Sequence, residues 1–396
     1  MSDEIPSYPV GDLTGQSPPI DWSAPVKVDV SFVKGKTILV TGGASGIGAG
    51  FCKRWASYGA NIIMGDISVA AGEDLIRGLR QSTGNPNHHF VEVDISNWES
   101  QVRFFQEAVR LSPTGAIDTV VANAGVNIQS EQKFFNDPAT ANYLDPASVP
   151  PPPQMRTLDV NLTGTLYTAH LALWFLSKNT GPNPPENTPR DRHLLLIGSV
   201  GSVYPLISQS FYTISKHAIM GLFRVLRMTS VAVHGIRVNM ICPYFVDTSL
   251  LSSRAGFLLA GGGMGAVEDV VQAGSVFVSR PDIVGRAVFV GPRLATRVCQ
   301  SENSVGDMPE IHSLSDIAIG PLDEGHAKAL IQEGDDGVVQ ERAIWEIYST
   351  DFQNVDVFTK RMVRLVNAYG AARGWSGYFM DMFTSVKKVM WGLIRR

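Results

Sequence analysis

A chain of 396 residues, 44% of them apolar, is long enough for one large α/β domain with extensions or for two domains. Its net charge of −4 provides no general field for nucleic acid. The three cysteines, Cys52, Cys242 and Cys299, have no paired spacing, which argues against a disulfide framework or a zinc site and for a reducing, cytoplasmic compartment.

Residues 1–34 are proline-bearing and without period, unlike a signal peptide, and read as an irregular surface arm. No run of eighteen apolar residues occurs, so nothing reads as a transmembrane helix. The stretch Lys36 to Asp66 is the most informative. Thr37–Thr41 is a short apolar run that ends in glycine, as a buried parallel strand does. Gly42, Gly43, Gly46 and Gly48 follow, then a helical pattern over Ile47–Tyr58 closed by Gly59. Ala60–Met64 is a second strand, ending in Asp66, eighteen residues past Gly48. Strand, glycine turn, helix and strand with a terminal acid form the dinucleotide-binding unit, in which backbone N–H groups at a helix N-terminus hold the pyrophosphate. A carboxylate at Asp66 suits the ribose hydroxyls and repels a 2′-phosphate. Ile67, Ser68 and Val69 bring no arginine beside it, so the pattern favours NAD over NADP.

A helix over Val69–Gln81, a strand over His89–Val93 and a helix over Trp98–Leu111 continue the alternation. The strand Ile117–Ala122 ends in Asn123, Ala124 and Gly125, small residues where an open sheet approaches its ligand. From Asn127 to Pro153 the pattern breaks into a polar, proline-bearing loop, either a cover for a substrate pocket or a surface insertion. Met155–Ser177 is helical, with Leu158, Leu162, Leu166, Ala169 and Leu173 on one face and Asn161 within it. Asn179–Arg192 reads as an exposed linker, and His193–Gly198 as the fifth strand.

Ser199 stands at the mouth of that strand, and thirteen residues later Tyr212 precedes Lys216 by one helical turn. Oxidising a secondary alcohol by hydride transfer requires a base for the hydroxyl proton. A tyrosine with a pKa of about 10 needs a nearby cation to serve at neutral pH. Lys216 can supply that charge, and Ser199 can orient the substrate oxygen. No serine–histidine–acid order and no H-E-x-x-H is present, so hydrolase and metal readings have no support.

In order and spacing, Thr41–Gly48, Asp94, Asn123–Gly125, Asn161, Ser199, Tyr212, Lys216 and Pro243–Thr248 resemble the short-chain dehydrogenase/reductase family, over about residues 34–294. The resemblance implies an α/β fold with a doubly wound parallel (Rossmann) sheet. It also implies a cofactor held by Thr41, Gly42, Ser45, Gly46, Ile47, Gly48 and Asp66, with Asp94 and Ile95 at the adenine. Asn123, Ala124 and Gly125 would line the site, Tyr212 and Lys216 the nicotinamide ribose, and Pro243, Val246 and Thr248 the carboxamide. Asn161 would hold a proton-relay water. Tyr244 stands where the family usually has glycine. The N-A-G-V-N run and Gln209, three residues before Tyr212, are most similar to the branch holding 15-hydroxyprostaglandin dehydrogenases and fungal alcohol dehydrogenases of secondary metabolism. There a glutamine meets the substrate hydroxyl, which makes Gln209 the specificity candidate. The implied reaction is hydride transfer between NAD and a secondary alcohol or ketone of a bulky apolar metabolite. An NADP-dependent ketoreductase of secondary metabolism is the alternative, and a non-catalytic nucleotide-binding scaffold a further one. A homo-oligomer through the helices bearing Asn161 and Tyr212 is the family habit.

Val276–Pro292 reads as the last strand with its preceding turn. Residues 295–396 then form a polar linker and a helical extension, with helices over Val338–Tyr369 and Tyr378–Ile394. The second has a broad apolar stripe flanked by Lys387, Lys388, Arg395 and Arg396, suited to packing on its own domain or a partner subunit, or to lying on a membrane surface.

Overall fold

In Thr37–Thr41 (β1) every residue is buried, and alternation divides the run between two layers: Ile38 and Val40 join one core cluster, Leu39 the other. The same division recurs in His193–Ile197 (β7), where Leu195 faces the first cluster and Leu194 and Leu196 the second. Strands buried on both faces belong in a sheet covered by helices on both sides. A computed structural model shows that sheet; it describes residues 16–138, 149–179, 182–183, 188–248, 263–298 and 338–347, and residue 368.

The elements are α1 (Val30–Val33), β1, α2 (Gly46–Ser57), β2 (Asn61–Asp66), α3 (Val69–Thr83), β3 (His89–Glu92), α4 (Trp98–Leu111), β4 (Thr119–Ala122) and α5 (Gln129–Asn136). Then come α6 (Arg156–Leu158), α7 (Thr165–Ser177), a small ribbon of β5 (Pro182–Asn183) and β6 (Thr188–Pro189), β7, and α8 (Ser210–His234). Last are β8 (Arg237–Pro243), α9 (Val267–Ser279), β9 (Ala287–Val298) and β10 (Val338–Ile347). The main sheet has the order β10-β9-β8-β7-β4-β1-β2-β3. All its pairings are parallel except β9 with β10. β1 lies between β4 and β2, so the chain reverses its direction of travel there, and the carboxyl ends of β1 and β4 border the crevice where such sheets bind ligands. α2, α3 and α9 cover one face, and α4, α7 and α8 the other.

The structure revises several expectations. Asn127–Pro153 is not loop throughout, since Gln129–Asn136 forms α5. The helical run Met155–Ser177 is interrupted by a π-helical segment, Asp159–Gly164, that contains Asn161. Gly164 fits there because a Cβ would lie 2.9 Å from the Ile95 side chain. Val276–Ser279 closes α9 instead of opening a strand, which starts at Ala287. Val338–Ile347, expected as helix, is a strand antiparallel to β9, with a bulge between Arg342 and Ile344. Ile344, Trp345 and Ile347 are types that suit a sheet, and the bulge accounts for two successive buried residues, Ala343 and Ile344. The expected helix at Tyr378–Ile394 lies outside the described residues. Among the described residues no helix is long and apolar enough to cross a membrane.

The ends of the expected exposed linker are also buried. Asp191, 6% exposed, accepts hydrogen bonds from Lys36 Nζ at 2.7 Å and from both Arg237 Nε and Nη2 at 2.8 Å. Asn179 Nδ2 donates to Ile117 O and Asp118 Oδ1, and Arg190 pairs with Asp118. Asp118 Oδ2 in turn accepts from Thr37 N at 2.8 Å. This buried charge network locks β1, β4, β7 and β8 together at the end of the sheet away from the crevice.

Candidate active site

The glycine turn after β1 is pinned by the end of β4. Asn123 Nδ2 donates to Thr41 O and Gly42 O at 3.0 and 2.9 Å, while the backbone N–H groups of Asn123 and Ala124 donate to Thr41 Oγ1. Gly42, at φ +64°, faces Ala124 so closely that a Cβ would lie 2.7 Å from its Cα. A Cβ at Gly48 would come within 2.2 Å of Gly42 O. These two glycines are therefore demanded by the turn itself. Gly46 opens α2 at φ +52°, and a Cβ there would crowd Thr248 Cγ2 at 3.3 Å. Ser45 precedes the helix without capping it through its side chain, and the first turn has no acidic residue. The positive end of α2 thus suits a pyrophosphate. Ile47 packs against the core as a partly buried residue of this turn.

Asp66 accepts hydrogen bonds from Ala44 N and Ser68 N, both at 3.0 Å, which fixes its carboxylate beside the glycine turn. Asp94 Oδ1 accepts from the backbone N–H and hydroxyl of Ser96. Ile95 is buried under the π segment. Pro243 ends β8, and Val246 forms an isolated bridge with Gly265. Tyr244 needs no left-handed backbone; its ring packs edge-on against Phe245 and Phe289, at 4.9 and 6.0 Å between centroids.

The catalytic candidates converge beside this crevice. Asn161, 1% exposed, uses Oδ1 to accept from Val126 N at 2.7 Å and Nδ2 to donate to Val126 O at 2.8 Å. Its side chain therefore anchors the segment after Gly125. A Cβ on Gly125 would lie 3.3 Å from Asn161 Oδ1 and 3.7 Å from Lys216 Nζ, so the glycine admits both. Lys216 Nζ donates to Ile197 O at 3.1 Å and sits 5.8 Å from the centroid of the Tyr212 ring. Burial lowers the Lys216 pKa to about 8. Burial raises the Tyr212 hydroxyl above its ordinary value, and a hydrogen bond with Ser199 offsets part of that. The lowering expected from the lysine does not appear here, and burial keeps the hydroxyl above its ordinary value. Ser199 caps the short turn Val200–Ser202, with its hydroxyl accepting from Gly201 N and its own N–H donating to Ser202 Oγ.

Gln209 lies at the head of α8, where its amide pairs with that of Gln129: Gln209 Nε2 donates at 3.1 Å and Gln129 Nε2 at 3.4 Å. Sequence reasoning missed Gln129 and the roles of Val126 and Ser202. Val126 acts through its backbone and Ser202 through a cap, and neither leaves a signature in residue type.

The model of the short chain dehydrogenase family matches residues 36–256. The chain belongs to the short-chain dehydrogenase family. It is similar to 5′-hydroxyaverantin dehydrogenase of Dothistroma septosporum, at 33% identity over 67% of this chain and 87% of that protein. It is 34% identical to the NADP-dependent dehydrogenase clz5 of Cochliobolus lunatus over 58% of this chain and 77% of that one. It is also similar to the 15-hydroxyprostaglandin dehydrogenase [NAD(+)] of Bos taurus, at 29% identity over 56% and 72% of the two chains. A 3-ketoacyl-(acyl-carrier-protein) reductase from Brucella melitensis, solved with NADH, shares the fold. Its TM-score is 0.51 at 23% identity, over 65% of this chain and 97% of that one. This short-chain dehydrogenase is thus an NAD(P)-dependent oxidoreductase, and its glycine turn, α2 terminus and Asp66 fit a dinucleotide.

Proposed function

We infer that the protein transfers a hydride between NAD and a secondary alcohol or ketone carried on a bulky apolar metabolite. The observation that carries this reading is the convergence of Ser199, Tyr212, Lys216 and Asn161 around Gly125 and the end of β7. When bound, the nicotinamide accepts or donates the hydride. Tyr212 takes the alcohol proton in oxidation or returns it in reduction, and Ser199 hydrogen-bonds the reacting oxygen. Lys216 holds the ribose hydroxyls and presents a cation to Tyr212. Asn161, its amide fixed by Val126, supports a water that relays the proton outward. The segment from Ser199 to Tyr212 exposes Tyr204 and Ile207, at 63% and 94%, which supports an apolar substrate. The 5′-hydroxyaverantin dehydrogenases among its relatives agree with that class.

NAD is favoured because Asp66 closes β2 with no cation beside it. An NADP-dependent reading is kept because some relatives are named NADP-dependent dehydrogenases. Thermal shift separates the two. Wild type should be stabilised selectively by NAD, and Asp66→Ala should lose that selectivity; equal or NADP-selective stabilisation of wild type sinks the NAD reading.

The protein also forms a homo-oligomer in this reading. Segment Thr165–Ser177 is apolar around most of its circumference, and it exposes Leu166 and Trp174 while α8 exposes Ile214 and Val225. Trp174→Glu should convert the assembly to monomers in light scattering. A wild-type monomer would refute the proposal. Cys52 and Cys242 are buried free thiols, which supports a reducing, cytoplasmic location.

A further inference from the structure

Helix α5 carries none of the family motifs, yet it touches the starts of both helical runs that bear Asn161 and Tyr212. Glu131 is buried, and its Oε1 accepts from Arg156 N at 3.0 Å. Its Oε2 accepts from the backbone N–H and hydroxyl of Thr157 at 2.9 and 2.7 Å. Arg156 and Thr157 open the run that leads to Asn161, and Met155 before them has no polar side chain with which to cap it. The next residue of α5, Gln132, is 1% exposed. Its Oε1 accepts from Phe211 N at 2.9 Å, beside Tyr212, where Gln209 makes no side-chain cap bond.

One turn further, Asn136 Oδ1 accepts from the Ser210 hydroxyl at 2.6 Å, and its Nδ2 donates to Ser208 O at 3.3 Å. Ser208 is held at φ 58°, a left-handed conformation costly for a serine, next to Gln209. Phe135 packs on Phe211 at 4.6 Å between centroids. The first residue of α5, Gln129, is the amide partner of Gln209.

The first N–H groups of a helix have no partner within it and are usually satisfied by a residue just before it. Here two adjacent side chains of a third element satisfy them for two different helices. The distance between those helix starts is thereby tied to the geometry of α5. We propose that α5 is a positioning clamp: Glu131 and Gln132 set the Asn161 and Tyr212 helices against each other, and Gln129 orients the Gln209 amide toward the substrate. The substrate half of this statement rests on the reading given under Proposed function.

The test uses the full-length protein and the variants Glu131→Ala, Glu131→Gln and Gln132→Leu. Hydrogen exchange without substrate reads the clamp. Glu131→Ala should speed exchange about tenfold at residues 155–161 and also at 208–214, because α5 links the two. Faster exchange at 155–161 alone would reduce Glu131 to a local cap and overturn the clamp. Kinetics with NAD and 1-tetralol, a bulky apolar secondary alcohol, read the consequence. Glu131→Ala should lower kcat at least tenfold, with both KM values within twofold of wild type and the rise of rate with pH displaced to higher pH. Glu131→Gln, which keeps an acceptor oxygen and the shape, should restore most of kcat. Wild-type kcat and pH profile in a folded Glu131→Ala protein would overturn the proposal. If Glu131→Ala does not fold, Gln132→Leu decides by the same two readouts. If wild type turns over no alcohol, the functional reading fails, while the exchange experiment still decides the clamp.

Discussion

Tyr212→Phe should lower kcat for oxidation of 1-tetralol by about 10²–10⁴-fold, the usual contribution of a positioned acid or base, while NAD affinity stays within twofold. The substitution removes one oxygen. Phenylalanine keeps the ring that packs beneath Lys216, whose Nζ lies 5.8 Å from its centroid, so the cofactor side of the site is undisturbed. Ser199 would still orient the substrate oxygen, but its proton would have nowhere to go. The pH dependence provides a second reading. Burial holds the Tyr212 hydroxyl above its ordinary value, so only a small fraction is ionised at neutral pH and the fraction grows as pH rises. Wild-type oxidation should therefore accelerate between about pH 6 and 8, where Lys216 still carries its proton, as the phenol ionises, and the Phe variant should lose that slope. A Phe variant retaining more than a tenth of wild-type kcat would remove Tyr212 from the proton-transfer step.

The largest expected effect on stability lies at the opposite end of the sheet. Asp191→Ala should destabilise the fold by about 3–5 kcal/mol, the range for removing one partner of a buried ion pair. It would leave Lys36 and Arg237 facing each other without the carboxylate that both now bind at 2.7 and 2.8 Å. Burial by itself would push the Asp191 carboxyl up, but Arg237 and Lys36 hold it well below the usual carboxylate range. A depressed carboxyl contributes stability that is fully present above its unfolded value of about 4 and is lost as pH falls toward the folded one. Urea titrations at pH 7 and pH 3 should thus show the wild-type advantage over Asp191→Ala shrinking at the lower pH. A loss under 1 kcal/mol at pH 7 would mean that the cluster relaxes or admits water.

Much of the candidate site was legible because the proposed chemistry imposes types and spacings. Only small residues pass where Gly42 meets Ala124 and Gly48 meets Gly42, and a tyrosine and lysine must be one turn apart to share a face. The sheet was legible for the same reason, since β1, β4 and β7 are unbroken apolar runs. What escaped is what side chains do at long range. Asn179 and Asp191 look like polar linker residues, and only the tertiary fold brings Lys36 and Arg237 to Asp191. The helix Gln129–Asn136 has little apolar pattern, because three of its residues spend their polarity on two other helices. Val338–Ile347 misled because its β-branched and aromatic residues sit in a segment that also permits a helical reading, and pairing with β9 decides between them.

That last pairing also bears on synthesis. Strand β9 ends at Val298 and its antiparallel partner begins at Val338, so the outermost ladder cannot form until the residues from Val338 onward have left the ribosome. Until then β9 is a sheet edge with free backbone donors and acceptors and the apolar side chains of Val288, Phe289 and Val290 beside it, the kind of surface on which nascent chains associate. The segment Val338–Ile347 thus ends this exposure, and it is made well after the strand it protects.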